Sequence, residues 1–192
     1  MPIARYLSNT HVVKDTDVPV PQWGLRDEGR TRVAALAASG ALTDTQVIYS
    51  STEVKAVETA APLSKAIGCP HHQRAEMGEN DRSATGFLPA AAFEAAADAF
   101  FAHPDRSYRG WETARAAQAR ILAAIDVVLS EHPKDNILFV GHGAVGTLLY
   151  CALMDLPIDR QHDQPHGGGN VLTFETVTRT PDGPWQPMEA LL

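Results

Sequence analysis

Short apolar runs alternate along this chain with longer stretches of helical periodicity. Ile3 to Ser8 reads as a first strand, and Asp17 to Gly24, with Pro19 and Pro21, as an irregular loop. Arg26 to Ala38 carries a helix pattern that stops at Ser39-Gly40. Gln46 to Ser50 is a short β-rich run, and Thr52 is placed to cap a helix that continues to Ile67 and ends at Gly68. Pro70 to Glu76 is expected to be a third strand and Met77 to Leu88, polar and glycine-bearing, a loop. Pro89 suits the first position of a helix over AAAFEAAADAFFA, where Phe93, Phe100 and Phe101 fall at core spacing. A longer helix is expected from about Trp111 to Glu131. The clearest buried strand is Asn136 to Val140, followed by a glycine-rich turn, an apolar helix from Ala144 to Met154 and a last strand from Asn170 to Glu175.

This order implies a three-layer α/β/α fold, with a mainly parallel sheet between two helical layers. With no repeat or low-complexity linker, residues 1–192 read as one domain carrying a helical and loop insertion at about 77–108.

Composition narrows the function classes. Sixteen Lys and Arg against 23 Asp and Glu give a formal charge of −7, which excludes the cationic face of a general nucleic-acid binder or a polybasic membrane anchor. The two cysteines, Cys69 and Cys151, lie far apart without CxxC partners, so neither a disulfide framework nor a thiolate zinc site is expected. The opening MPIARYLSNT lacks the apolar run of a signal peptide, and no stretch approaches the roughly 20 apolar residues of a membrane span. The expectation is a soluble cytoplasmic protein.

In open α/β sheets ligands gather beyond the carboxyl ends of the strands. Three such ends carry suggestive residues: Ser8-Asn9-Thr10-His11, Ser50-Ser51-Thr52 with Lys55 a turn later, and Gly141-His142-Gly143. The last places a histidine at a strand-to-helix turn, where free N–H groups and the helix dipole favour an anion and small neighbours admit a ligand to the backbone. Gly141 to Gly146 also fits GxGxxG, but no acidic strand end follows at the required spacing, so a dinucleotide site is set aside.

These residues resemble the histidine phosphatase superfamily, the phosphoglycerate-mutase-like proteins, over nearly the whole chain. Ser51 to Ala60 fits the family's second strand end and helix, with Lys55 in the slot of an arginine, and Val140-Gly141-His142-Gly143 fits the late strand end. The resemblance is closest to a divergent subgroup in which Ser or Thr replaces the first arginine. It carries stretches like Pro19 to Leu25, Gly78 to Gly86, Arg109 to Glu112, and His162 to Pro165 followed by Gly167 to Asn170. In the family a first-strand histidine attacks a phosphoryl group and water then cleaves the phosphohistidine. A second histidine and basic side chains hold the phosphoryl oxygens, and an acid protonates the leaving group.

By this resemblance His142 is the second phosphate-pocket histidine, Lys55 a clamp, and Glu79 the acid, with Asp81 and Glu76 as alternatives. Ser8, Gly143, Arg82, Ser83, His162 and Trp23 are expected to border a small phosphorylated substrate. No cofactor and no metal are implied, although His162-Asp163-Gln164-Pro165-His166 contains metal-ligand residue types.

The nucleophile slot departs from the pattern. Ser8 falls in the arginine slot, Asn9 in the histidine slot and Thr10 in the glycine slot. An amide hydrogen-bonds an oxygen but is a poor nucleophile. His11, two residues on, points the same way in an extended segment but is displaced by about 6–7 Å of chain. Three readings stay open: a phosphomonoester hydrolase using His11 or water, a nucleophile-deficient pseudo-enzyme that binds an anion, and a different acid/base reaction run by His142 and Glu79. The expected partner is a small anionic, phosphorylated substrate, with a homodimer as an open alternative to a monomer.

Overall fold

The computed structural model describes all 192 residues. Six strands, β1 (Ile3–Ser8), β2 (Val47–Ser50), β3 (His71–Gln73), β4 (Ile137–Gly141), β5 (Asn170–Glu175) and β6 (Gln186–Pro187), form one sheet in the order β3-β2-β4-β1-β5-β6. The first four in that order run parallel, and β5 and β6 each run antiparallel to the preceding strand. The helices are α1 (Asp27–Ser39), α2 (Val54–Ile67), α3 (Ala90–Ala102), α4 (Ala114–Glu131) and α5 (Gly143–Leu153).

Alternation along the strands sorts the core into two layers. Tyr6, Tyr49, Phe139, Leu172 and Phe174 face a cluster with Ile121 and Ile125 of α4 and Leu148 of α5. Their neighbours Leu7, Ile48, Leu138, Val140 and Val171 face the opposite way, against Val33 and Leu36 of α1 and Leu63 of α2. Central β4 is buried at all five positions, which accounts for its unbroken apolar run. Both predicted glycine stops hold, Gly40 and Gly68 lying in the left-handed region at φ 76° and 77°.

Several boundaries differ from expectation. Thr52 does not cap α2: the N-cap is Glu53, and the Ser51 hydroxyl takes up the Glu53 N–H at 3.1 Å. Strand β3 is only three residues long, because the chain then turns through a 3₁₀ segment, Ala75–Met77, that buries Met77. The fourth helix starts at Ala114 behind Thr113, whose side chain accepts from the Ala116 N–H, while Trp111 goes into the core. Between β3 and α4, α3 supplies Phe100 and Phe101, packed edge to face at 5.1 Å. No helix is long and apolar enough to cross a membrane.

Candidate functional site

The parallel strands bring three loops to one sheet edge. Register pairs Ser8 with Gly141 and Ser50 with Val140, so the segments after β1, β2 and β4 leave the sheet side by side. The Asn9 N–H donates to the Gly141 carbonyl at 2.9 Å and extends that pairing.

Tyr6 fixes the backbone of His142. Its buried hydroxyl accepts the His142 N–H at 2.9 Å and donates to the His142 carbonyl at 3.1 Å. The flanking glycines make room for protein side chains. A Cβ on Gly141 would lie 2.1 Å from the Tyr6 hydroxyl, and one on Gly143 2.3 Å from Gln164 Nε2. The expectation that these glycines open the backbone to a ligand is therefore corrected for Gly141, and at Gly143 the space beside the cavity wall already holds an amide.

The His142 ring is 1% exposed. Its Nδ1 lies 3.1 Å from Asn9 Oδ1, while Asn9 Nδ2 donates to the Thr10 carbonyl at 3.0 Å. The Thr10 carbonyl thus sets the amide orientation, and Asn9 Oδ1 selects the tautomer with the proton on Nδ1. His142 Nε2 faces Glu53 Oε1 at 3.5 Å and has no hydrogen-bond partner. Burial pushes the imidazole below the ordinary histidine range, although Glu53 and Glu79 pull the other way.

Glu53 organises the charges around it. One carboxylate oxygen accepts the Glu79 N–H at 2.8 Å; the other accepts from the Lys55 ammonium, which also donates to the Val20 carbonyl at 3.1 Å. Burial would raise the Glu53 carboxyl, but His142, Lys55 and the Glu79 amide outweigh it and bring the pKa down to about 2. With the imidazole neutral at pH 7, Lys55 and that amide are what keep Glu53 ionised. Lys55 therefore lines the cavity as half of an internal ion pair.

Glu79 occupies the anion position at the start of α5. Its carboxylate accepts from the Ala144 and Val145 N–H groups at 3.2 and 3.1 Å, as a helix N-terminus favours. Arg120 holds the loop beneath it, donating to the Gly78 and Glu79 carbonyls at 2.9 and 3.2 Å while paired with Glu112 at 2.7 Å. Asp81 and Glu76 do not line the cavity; Asp81 spends a carboxylate oxygen on the Ser83 N–H at 2.9 Å.

A cavity of about 510 Å³ opens over this cluster. Of the residues singled out in the sequence, Asn9, His11, Lys55, Glu79, Arg82, Gly143 and Trp23 are on its wall. Four expected residues are not. His142 is buried beneath the floor, behind Asn9. Ser8 is wholly buried, its hydroxyl bonded to Gln164 Oε1 and to the Asn170 N–H at 3.1 Å. Ser83 sits on an exposed turn, and the His162 ring packs toward Tyr150, with centroids 6.3 Å apart. His11 reaches the wall from the side, its Nε2 3.9 Å from Glu28 and its ring against Gly167, and it makes no bond to Asn9, Lys55 or His142. In the segment with metal-ligand residue types, Asp163 bonds the Thr147 hydroxyl at 2.8 Å and Gln164 turns to Ser8.

Sequence reasoning missed Tyr6, Glu53, Asn80, Arg120 and Gln164. Glu53 was within reach of it, because a carboxylate two residues before a pocket lysine at a helix start can fold back on the ammonium.

The profile of the histidine phosphatase superfamily (branch 1) matches residues 8–183. This chain belongs to that superfamily. Among solved structures the fold resembles YhfR of Bacillus stearothermophilus, at 20% identity and TM-score 0.78 with 94% of each chain covered. A mycobacterial glucosyl-3-phosphoglycerate phosphatase gives 17% identity and TM-score 0.76 over 96% of each chain. A phosphoserine phosphatase from Entamoeba histolytica gives 15% and 0.75 over the full length of both. No curated protein matches the chain by sequence. At these identities the likeness to solved structures establishes the shared α/β/α scaffold, and the superfamily profile carries the membership.

Proposed function

We propose that this histidine phosphatase superfamily member binds a small phosphorylated molecule in the 510 Å³ cavity and does not form a phosphohistidine. The observation that carries this reading is Asn9. It stands in the nucleophile slot of the family pattern, and its amide is engaged on both sides, by the Thr10 carbonyl and by His142 Nδ1. The remaining histidines are poorly placed for in-line attack, which tolerates little displacement: His142 is beneath the floor, and His11 is turned to Gly167 and Glu28. The class of ligand follows from the superfamily and from the phosphatases that share the fold.

The test is phosphoryl trapping combined with thermal shift. Inorganic phosphate or vanadate is expected to raise the melting temperature of the wild type by mass action. No acid-labile phosphoryl adduct is expected on incubation with a labelled phosphomonoester. An adduct that disappears in His11→Ala refutes the reading and makes His11 the nucleophile.

A second reading, hydrolysis by direct water attack with Glu79 as the acid, is favoured by the position of the Glu79 carboxylate on the cavity wall at the α5 N-terminus. It requires turnover without an adduct and loss of that turnover in Glu79→Gln.

A further inference from the structure

One side of the cavity wall is aromatic, and apart from Trp23 its rings come from the segment between β3 and α4. Trp23 and Phe87 face each other with centroids 6.2 Å apart, and Phe93 and Trp111 at 6.4 Å. Phe87 is 40% exposed, among the few large apolar side chains left open to water, and it belongs to this wall. Apolar surface held open in a concave site is what a ligand of matching chemistry covers.

The polar half has a definite charge pattern. Arg82 lies over the Phe93 ring, its guanidinium carbon 4.8 Å from the centroid, and has no carboxylate partner, unlike Lys55 and Arg160 on the same wall. Asn80 is 6% exposed, lines the cavity, and has an Nδ2 donor without a protein acceptor. A buried donor left unpaired costs stability, so it marks a place where a ligand acceptor fits. Glu79 and Asp163 face the same space and repel any anionic group, the phosphate included, so they direct the phosphate to Arg82 and Asn80 and disfavour a second charge elsewhere on the ligand.

We infer that the ligand is a phosphomonoester whose organic part is aromatic or similarly flat, apolar and uncharged, with that part against Phe87 and Phe93 and its oxygens toward Arg82 and Asn80. This rests on the reading of the cavity as a phosphorylated-ligand site. It separates this chain from a binder of compact, carboxylate-bearing phosphoesters.

Calorimetric titration of the full chain with inorganic phosphate, 3-phosphoglycerate, 1-naphthyl phosphate and 1-naphthol tests it. Covering the aromatic wall is expected to make naphthyl phosphate bind at least about tenfold tighter than 3-phosphoglycerate. In Phe87→Ala, whose side chain is exposed enough for the fold to tolerate its loss, the ratio is expected to fall to within about threefold. If phosphate binds but 3-phosphoglycerate matches naphthyl phosphate, or the ratio survives Phe87→Ala, the inference is overturned and the phosphorylated-ligand reading stands. If no phosphate compound binds, or naphthol binds as tightly as naphthyl phosphate, both fall.

Discussion

Replacing Lys55 with methionine separates a free phosphate clamp from an internal counter-ion. Methionine keeps the buried stem and removes the charge that faces Glu53, whose side chain is 11% exposed, together with the donor to the Val20 carbonyl. In the wild type the Glu53 carboxyl has a pKa of about 2, against 4.5 in the unfolded chain. A depressed carboxylate pKa stabilises the fold above the unfolded value, and this contribution is lost as pH falls toward the folded one. Here the difference corresponds to about 3 kcal/mol at neutral pH, of which about 1 is gone by pH 4 and about 2 by pH 3.

Without the ammonium the Glu53 pKa moves up, but His142 and the Glu79 N–H still lower it, so the variant keeps part of this acid-sensitive contribution and loses the part that Lys55 supplies. Breaking a buried pair costs about 3–5 kcal/mol at pH 7. The gap between wild type and Lys55→Met is then expected to narrow by about 1 kcal/mol between pH 7 and pH 3. Urea unfolding at several pH values measures that gap, and groups common to both proteins cancel in it. A gap that stays constant with pH, or a cost below about 1 kcal/mol at pH 7, refutes the pairing of Lys55 with Glu53.

Tyr6→Phe strands the buried N–H of His142, whose carbonyl keeps the Gly146 N–H at 3.1 Å, and is expected to cost about 1–3 kcal/mol, lowering the melting temperature by about 3–12 °C; calorimetry showing a drop below about 2 °C contradicts the clamp. His142 is expected to remain neutral at pH 7 because burial lowers its pKa, and stability linked to it falls as pH drops below the ordinary histidine value. An imidazolium signal for His142 in ¹⁵N NMR spectra at pH 7 contradicts this.

What the sequence alone determined is the frame. Period-two alternation in β1 and β5, the unbroken apolar run of β4 and the glycine stops after α1 and α2 are local signals, each set by a few neighbouring residues. They were enough to place the strand ends, and with them Asn9, Lys55 and His142, at one edge of a parallel sheet. Whether those side chains are free or engaged was not written locally. Asn9 and His142 are 133 positions apart and meet because β1 and β4 pair in one register. Glu79 reaches the α5 N-terminus across 65 residues because Arg120 holds its loop there. The glycines around His142 left the same signal whether a ligand or the Tyr6 and Gln164 side chains filled the space, and only the packed structure chose the side chains. Charge compensation and buried hydrogen bonds depend on distance in space. The sequence therefore supplied the parts of an anion pocket, and tertiary packing decided that Glu53 and Glu79 already occupy much of its positive potential.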